Sequence, residues 1–324
     1  MKKILSLILV LLFSLSFIVS CDNSEKADVK VAVLSGTTGF GMAHLMEQNL
    51  NGASNNNYNF SVETKPDDVK AQILNNSIDI AAVPTNLASA LYNATKGGVK
   101  VLAINTLGVL YAVENGNTVK TIKDLEGKTI YCPAQNPEFV LKHIINKNKI
   151  NATIDTTFSD PADLRTAIAS GELKDENVIA VLPEPMVTIA KSANKSLNVV
   201  LDLTEEWGKV ENKDLVQGCV IVRSEFLQSN PDAVEAFLDE YKSSIEYLNE
   251  NVDDAAKLIV KHGIFAKEAV AKAAIPNCNV TYMDGTQMKD AMSGFLSAMF
   301  SVAPKSIGGK LPEDDFYYSK WIKY

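Results

Sequence analysis

The sequence is poor in the residues that build metal sites, disulfide frameworks and arginine clamps. It contains four cysteines, three histidines and only two arginines, Arg165 and Arg223, among 324 residues. The cysteines are far apart and no Cys-X-X-Cys spacing occurs, so neither a structural zinc site nor a disulfide framework is expected. A single pair among Cys132, Cys219 and Cys278 is left open. We predict no metal site and no cofactor, and few positions for bidentate arginine recognition of an anion.

The chain also lacks an excess of positive charge and, after Val19, lacks any long apolar run. Its formal net charge is −8, which argues against a nucleic-acid partner. Without a second apolar run, no later segment is expected to cross a membrane. The length is sufficient for two modest hydrophobic cores.

What the N-terminus does contain is the pattern of a secretory signal peptide over residues 1–20. Lys2 and Lys3 precede an almost wholly apolar run from residue 4 to residue 19, too short for a permanent spanning helix. Residues 18–21, Ile-Val-Ser-Cys, resemble a bacterial lipobox, which implies cleavage before Cys21 and lipidation of that residue. The alternative is a plain signal peptide with an incidental cysteine. Residues 21–28 are polar and predict a short tether.

Residues 29–50 predict a buried strand that passes through a glycine- and hydroxyl-rich loop into a helix. The first N–H groups of a helix have no partners within the helix, and the positive end of the helix dipole lies beside them. Such a loop can therefore bind an anionic or acceptor-rich small ligand. A tight turn without a ligand is the alternative. The loop residues are Ser35, Gly36, Thr37, Thr38 and Gly39.

Strand and helix patterns alternate at short intervals along the rest of the chain, which indicates an α/β fold with mainly parallel sheets. Three helices are expected to begin at Asn136-Pro137, Asp160-Pro161 and Asn230-Pro231, because proline suits the first turn of a helix. We expect one lobe from residues 29–110 and 220–324, and a second from residues 111–219.

Five segments taken together carry a family resemblance: residues 34–41, 78–86, 124–130, 182–185 and 226–241. They resemble type II solute-binding proteins of bacterial ABC importers, in the branch that binds nitrate, sulfonates, taurine or thiamine-pyrimidine precursors. The resemblance implies a two-lobed periplasmic-binding-protein type II fold, with mixed, mainly parallel sheets flanked by helices and a ligand cleft between the lobes. One segment departs from this branch, because residues 132–137 lack the expected glycine.

In such a fold the ligand binds beyond the carboxyl ends of the strands. The loop residues named above are therefore joined by candidates from three further loops: Thr85, Asn86, Gln135, Asn136 and Glu184. Thr85 and Asn136 could instead be helix caps, and Glu184 could instead complement a helix dipole. Helix-end donors suit nitrate, sulfonate or carboxylate groups, whereas Glu184 favours a ligand with donor groups. Trp207 could stack on a flat ligand, although packing is the preferred interpretation.

The resemblance implies an exported, lipid-anchored binding protein that captures a small solute and delivers it to an ABC permease and its ATPase. Two alternatives stay open, a pyrimidine-precursor synthase-like enzyme and a surface adhesin or sensor on the same fold. The enzyme is disfavoured because the family's synthases use a cysteine-rich metal cluster, whereas the cysteines here are isolated. No Ser-His-Asp arrangement or carboxylate pair stands out either.

Overall fold

The computed structural model describes residues 26–173 and 177–320. The predicted signal peptide and Cys21 lie outside these residues. The strands are β1 (Asp28–Leu34), β2 (Asn57–Glu63), β3 (Ile80–Pro84), β4 (Val99–Thr106), β5 (Leu110–Asn115), β6 (Thr129–Tyr131), β7 (Thr153–Asp155), β8 (Ile179–Pro183), β9 (Leu197–Asp202), β10 (Gly218–Arg223) and β11 (Val280–Met283).

Helices connect most of these strands. They are α1 (Thr37–Phe40), α2 (Ala43–Leu50), α3 (Pro66–Leu74), α4 (Thr85–Thr95), α5 (Asn136–Asn148), α6 (Pro161–Ser170), α7 (Met186–Ala193), α8 (Leu203–Glu211), α9 (Ser224–Ser229), α10 (Pro231–Glu250), α11 (Val252–Lys261), α12 (Glu268–Ala274) and α13 (Gly285–Val302). Short 3₁₀ segments occupy Ile122–Leu125, Ile275–Asn277, Pro304–Ile307 and Asp314–Phe316. Among the described residues, no helix has both the length and the apolar character needed to span a bilayer.

The predicted helix starts are confirmed, and local chemistry explains them. Proline occupies the first turn of α5, α6 and α10, where a missing N–H costs nothing. At α6 the carboxylate of Asp160 also accepts a hydrogen bond from the Ala162 N–H at 2.7 Å. Each of these helices follows a loop, so the proline in its first turn marks the point at which the loop ends and the helix begins.

The strands form two mixed sheets, which confirms the predicted α/β fold class. The six-stranded sheet has the order β11-β4-β10-β3-β1-β2, and the five-stranded sheet has the order β7-β6-β8-β5-β9. β1 pairs in parallel with β2 and β3, and β6 pairs in parallel with β7 and β8. β10, β11 and β5 run against their neighbours. Most strands of each sheet therefore run in one direction.

These directions bring two sets of strand ends to facing positions. The chain crosses between the sheets at residues 107–109 and 212–217, so the ends joined by these short crossovers must be neighbours. We call the resulting surfaces the first and second cleft edges. The first cleft edge, on the six-stranded lobe, comprises residues 35–39, 84–86, 105–106 and 217–218. The second, on the five-stranded lobe, comprises residues 109–111, 131–136, 183–185 and 202–204.

A shared hydrophobic core joins the two lobes on one side of this cleft. The fully buried ring of Trp207 in α8 lies 4.9 Å from the His143 ring in α5 and 5.6 Å from the Phe295 ring in α13. α13 also contacts α4 and β4 of the six-stranded lobe. Trp207 therefore packs where elements of both lobes meet, which agrees with its predicted packing role.

Candidate functional site

The predicted opening loop lies on the first cleft edge and is held by backbone hydrogen bonds. The Ser35 N–H donates to the Glu63 carbonyl at 2.8 Å, and the Gly36 N–H donates to the Ile264 carbonyl at 3.2 Å. The helix that follows, α1, has only four residues, and α2 begins after a break at residues 41–42. The loop's own donors are thus partly satisfied within the protein.

Asn105 is a positioning residue for this loop that sequence reasoning missed. Its side-chain amide is buried at the end of β4 and donates to the Thr38 carbonyl at 3.1 Å and to the Tyr241 hydroxyl at 3.0 Å. Its amide oxygen accepts a bond from the Thr106 hydroxyl at 3.0 Å. The loop is therefore anchored to β4, an interior strand of its own sheet.

Two predicted residues, Thr37 and Glu184, join the two cleft edges directly. The buried hydroxyl of Thr37 donates to the Glu184 carbonyl at 3.0 Å, although the two residues belong to different lobes. The Glu184 N–H donates to the Val109 carbonyl at 2.9 Å. A second bond between the lobes runs from the Tyr111 hydroxyl to the Asn277 carbonyl at 3.0 Å. The structure is thus a closed arrangement of the lobes.

The Glu184 carboxylate is buried and tied to the start of α7. It accepts hydrogen bonds from the Thr188 N–H at 3.1 Å and from the Thr188 hydroxyl at 3.0 Å. Burial raises the pKa of this carboxyl, while the bonds from Thr188 and the charge of Lys191 act in the opposite direction. The interpretation that Glu184 complements the dipole of a helix, here α7, is therefore confirmed. The same carboxylate also borders open space between the lobes.

That space is a cavity of about 500 Å³ with walls from both lobes. Tyr111, Glu184 and Lys191 line it from the five-stranded lobe, and Ala273 and Asn277 line it from the six-stranded lobe. A pocket of this volume matches a small organic molecule. Because both lobes line it, its shape depends on how far the lobes are closed.

Thr85 and Asn86 lie at the start of α4, at the carboxyl end of β3. The Thr85 N–H donates to the Gln217 carbonyl at 3.1 Å, which joins this loop to the start of β10. The α4 N-cap residue is Pro84, and no side chain caps the helix. The cap interpretation of Thr85 is therefore wrong, because its hydroxyl lies beside the buried Cys219 thiol, without a hydrogen bond of normal geometry to it, and not on the helix end.

Gln135 and Asn136 lie on the second cleft edge at the start of α5. Gln135 is the N-cap, with a positive φ of 67°, and its side chain is exposed and makes no capping bond. Asn136 is the first residue of the helix. Its amide oxygen is buried, and no side-chain cap is formed here either. The cap interpretation of Asn136 is therefore also wrong.

The two cleft edges share an unusual feature: buried polar atoms without hydrogen-bond partners among residues 26–173 and 177–320. They are Thr85 Oγ1, Asn86 Oδ1, Asn136 Oδ1, Thr204 Oγ1 and Gln217 Nε2. Leaving a buried polar group unpaired costs about 1–3 kcal/mol, and most such groups in folded proteins are paired. Six further atoms of this kind are spread over other parts of the described chain. Five on two facing surfaces indicate groups that a bound molecule would satisfy.

Three of these five residues, Thr85, Asn86 and Asn136, are among the predicted ligand-binding residues. The other two, Thr204 and Gln217, were missed. Thr204 follows β9, and Gln217 precedes β10, which runs in the reverse direction. As ligand contacts, all ten predicted residues stay predictions.

The three described cysteines are buried and free, and none forms a disulfide. Burial raises the pKa of the thiols of Cys132, Cys219 and Cys278. A thiol of this kind is protonated at neutral pH and is a poor nucleophile. No group of three His, Cys, Asp or Glu residues able to hold a metal occurs within the ranges that the structure covers.

Replacing Glu184 by glutamine is expected to change how stability depends on pH. Between the ordinary and the raised pKa of this carboxyl, the folded protein binds more protons than the unfolded chain. Its contribution to the free energy of unfolding therefore falls as the pH rises through that window. Relative to the original protein, Glu184→Gln should gain stability as the pH rises from the ordinary glutamate pKa of 4.5 through the raised pKa of Glu184.

Urea-unfolding midpoints across this range measure the effect. Glu172→Gln, an exposed carboxylate far from the cleft, is the matched control and should leave the profile unchanged. Parallel pH profiles for Glu184→Gln and the original protein would contradict the expectation.

The chain is similar to known proteins over most of its length, including both lobes that form the cleft. The family model described as Menaquinone biosynthesis matches residues 41–295. An ABC transporter structure from Parabacteroides distasonis has 24% sequence identity and a TM-score of 0.76, covering 91% of this chain and 100% of that chain. No curated protein matches the chain significantly.

Two further solved structures have the same fold at lower identity. The ligand-binding component of an ABC-type import system from Staphylococcus aureus, with zinc bound, has 14% identity and a TM-score of 0.67, covering 90% of this chain and 97% of that chain. The periplasmic aliphatic sulphonate-binding protein SsuA from Escherichia coli has 12% identity and a TM-score of 0.67, covering 93% of this chain and 96% of that chain. The predicted likeness to binding proteins of ABC importers is confirmed.

Proposed function

This chain belongs to the menaquinone biosynthesis family, and we propose, from its two-lobed fold and its structural likeness to binding components of import systems, that it is a solute-binding protein of an ABC importer. It captures a small polar organic molecule in the cleft and passes it to a permease. The solved structures that share its fold include binding components of import systems. An exported location follows from the same proposal.

The observation that carries the proposal is the set of unpaired buried polar atoms on both cleft edges. Thr85, Asn86 and Gln217 belong to one lobe, and Asn136 and Thr204 belong to the other. A solute bound between the lobes would pair these atoms and would thereby favour the closed form. Closure around a ligand by hinge motion is a known behaviour of two-lobed proteins. The bond between Thr37 and Glu184 would form in the same step.

The decisive experiment identifies the small molecule that co-purifies with the protein. Protein purified under native conditions is denatured, and the released small molecules are identified by mass spectrometry. We expect one solute in near-stoichiometric amount, and its re-addition should raise the melting temperature of solute-free protein. Failure to find any solute, with no thermal shift from a broad panel of metabolites, would overturn the proposal.

Thr85→Val tests whether the unpaired atoms serve ligand binding. Valine keeps the shape and removes a buried hydroxyl that costs free energy in the solute-free protein. We expect a higher melting temperature without solute, together with solute affinity weaker by about five- to tenfold, since one lost hydrogen bond is worth about 1–1.5 kcal/mol.

Ser89→Ala in the same helix is the matched control for Thr85→Val. Ser89 is also fully buried, but its hydroxyl donates to the Ile307 carbonyl at 3.0 Å. Its removal should lower stability and leave solute affinity unchanged. If Thr85→Val behaved as Ser89→Ala does, Thr85 would have only a structural role.

A second candidate function is an enzymatic step in menaquinone biosynthesis. The description of the family model, matched over residues 41–295, is the observation that favours it. The released solute separates the two candidates. Incubation with solute-free protein should return the solute chemically unchanged if the protein is a binder. A stoichiometric excess of a new product would favour the enzyme.

We further propose that the protein is anchored to the membrane by a lipid on Cys21. The apolar run and the Ile-Val-Ser-Cys sequence at residues 18–21 support this proposal. Cys21→Ser is expected to move the protein from the membrane fraction to the soluble fraction or to leave it unprocessed. Immunoblots of the two fractions, with Cys278→Ser as a control, measure the outcome. Normal processing and unchanged membrane attachment of Cys21→Ser would rule out the anchor.

A further inference from the structure

The side chains on the cleft edges carry no positive charge. Residues 35–39, 84–86, 105–111, 131–136, 183–185, 202–204 and 217–218 include no lysine, arginine or histidine. They include two acids, Glu184 and Asp202. An anion that reached these edges would therefore meet two carboxylates and no cation among the edge residues themselves. In a partly dry cleft, like charges repel more strongly than in water.

Four helices, α4, α5, α7 and α8, begin at the cleft edges. The carboxylates of Glu184 and Asp202 already accept hydrogen bonds from N–H groups at the starts of two of them. The Glu184 carboxylate accepts from the Thr188 N–H in α7, and the Asp202 carboxylate accepts from the Thr204 N–H in α8 at 2.7 Å. The other two helices, α4 and α5, have no side-chain cap. The Thr85 N–H of α4 already donates to the Gln217 carbonyl, and Pro137 in α5 has no N–H. The other first-turn N–H groups can donate to an acceptor oxygen, and a neutral carbonyl oxygen is sufficient for this.

The unpaired atoms on the edges are all neutral and include acceptors. The amide oxygens of Asn86 and Asn136 need donors, the amide nitrogen of Gln217 needs an acceptor, and two threonine hydroxyls can do either. If an amide is turned the other way, it still presents a neutral polar atom. Nitrate or a sulfonate has acceptors only, so it would leave amide oxygens unpaired.

The basic residues that line the cavity between the lobes lie along α7 and beyond its end. Lys191 and Lys195 line the 500 Å³ cavity and are exposed. Lys191 is seven residues beyond Glu184, which is about 10 Å along a helix axis. The charge of Lys191 acts on the Glu184 carboxyl, whereas the first turns of α4, α5 and α8 contain no basic residue of their own.

We propose that the solute is an uncharged molecule carrying both N–H donors and carbonyl acceptors, such as an amide, a ureide or a lactam-type heterocycle, and not a simple oxyanion. The inference rests on the proposed binding function. It narrows the solute class that the family resemblance implies, which includes nitrate and sulfonates.

The first test compares probe molecules on solute-free protein by thermal shift and calorimetry. Uracil, cytosine, hydantoin and nicotinamide represent the uncharged class, and nitrate and methanesulfonate represent the oxyanions. We expect at least one uncharged probe to raise the melting temperature, and none of the oxyanions to do so at equal concentration. Tighter binding of an oxyanion than of any uncharged probe, or an anionic co-purified solute, overturns this inference and leaves the binding function standing. No solute and no binding of either class overturns both.

The second test uses carboxylate variants of the two unpaired asparagines. Asn86→Asp and Asn136→Asp keep the shape and an acceptor oxygen but add a negative charge. For an uncharged solute we expect each to retain affinity within about tenfold, whereas an oxyanion should bind about 100-fold more weakly or worse. Asn136→Leu, which removes the polar group, should weaken binding of the uncharged solute by about tenfold or more.

Asn59→Asp on β2 is the matched control for added charge. Its side chain is exposed and lies away from both cleft edges, so binding should be unchanged. A loss of about 100-fold in both cleft variants, with binding intact in the control, contradicts an uncharged solute.

Discussion

Trp207→Ala is expected to lower the free energy of unfolding by about 3–5 kcal/mol, in line with other buried aromatic truncations. The ring is fully buried and contacts the His143 and Phe295 rings from two other helices. Its removal leaves a cavity where elements of the two lobes meet, and neither α5 nor α13 can collapse into it without moving the lobe to which it is attached. The loss should therefore lie at the upper end of that range.

Urea unfolding followed by circular dichroism measures this loss. Phe300→Ala is the control, because this aromatic residue of α13 is 39% exposed. It should cost about 0.5 kcal/mol or less, as surface substitutions usually do. Trp207→Phe should retain much of the packing and fall between the two. If Trp207→Ala costs no more than Phe300→Ala, the shared core does not contribute to stability as the contacts indicate.

The fold class could be predicted because its signals are local. Proline at helix starts, apolar runs and their alternation all act within a few residues, and they gave most of the strands and helices described above. Strand β5 is different. Its Glu114 is completely buried and accepts bonds from the Thr118 and Val119 N–H groups. An acidic residue inside a short apolar run weakens the pattern that predicts a strand. The N–H groups that donate to it cannot be identified from the spacing of apolar residues.

The site could be predicted in part, for a similar reason. Loops that follow parallel strands can be located from the strand-to-helix pattern, and Thr85, Asn86 and Asn136 were found in this way. Gln217 was missed because it precedes a strand. It reaches the cleft only because β10 pairs antiparallel with β3 and β4, and strand direction is set by pairing far along the chain. Asn105 was missed because it holds the opening loop from β4, which is separated from β1 by β3 and β10.

Gly39 has a structural role that its place among the predicted ligand-binding residues does not reveal. A glycine in such a loop would let a ligand approach the backbone closely. In the structure Gly39 is buried inside α1, and a Cβ atom there would lie 2.0 Å from the Leu34 carbonyl oxygen and 2.8 Å from a Val33 methyl group. Packing against β1 is thus sufficient to require glycine, whether or not a ligand contacts it.

Gly39→Ala is therefore expected to cost about 3 kcal/mol or more, at or above the upper end of the usual range for overpacked sites. The atom in conflict is a backbone oxygen of a central strand, which cannot turn away as a flexible side chain would. Movement of α1 would be needed, and this would displace Thr37 and break its bond to Glu184. Solute affinity should fall together with stability.

Gly208→Ala is the matched control, since it also lies within a helix but has no atom within 4 Å of the added Cβ. Because alanine favours helix more than glycine does, this variant should gain up to about 1 kcal/mol. Thermal and urea unfolding of both variants measure the contrast. The changes in the free energy of unfolding should have opposite signs. Helix propensity favours alanine at both positions, but only at Gly39 does the added Cβ clash with a backbone atom that cannot turn away. Equal stability changes for Gly39→Ala and Gly208→Ala would contradict this expectation. They would show that α1 can move away from β1 at little cost in free energy, and that the opening loop is less rigid than its contacts indicate.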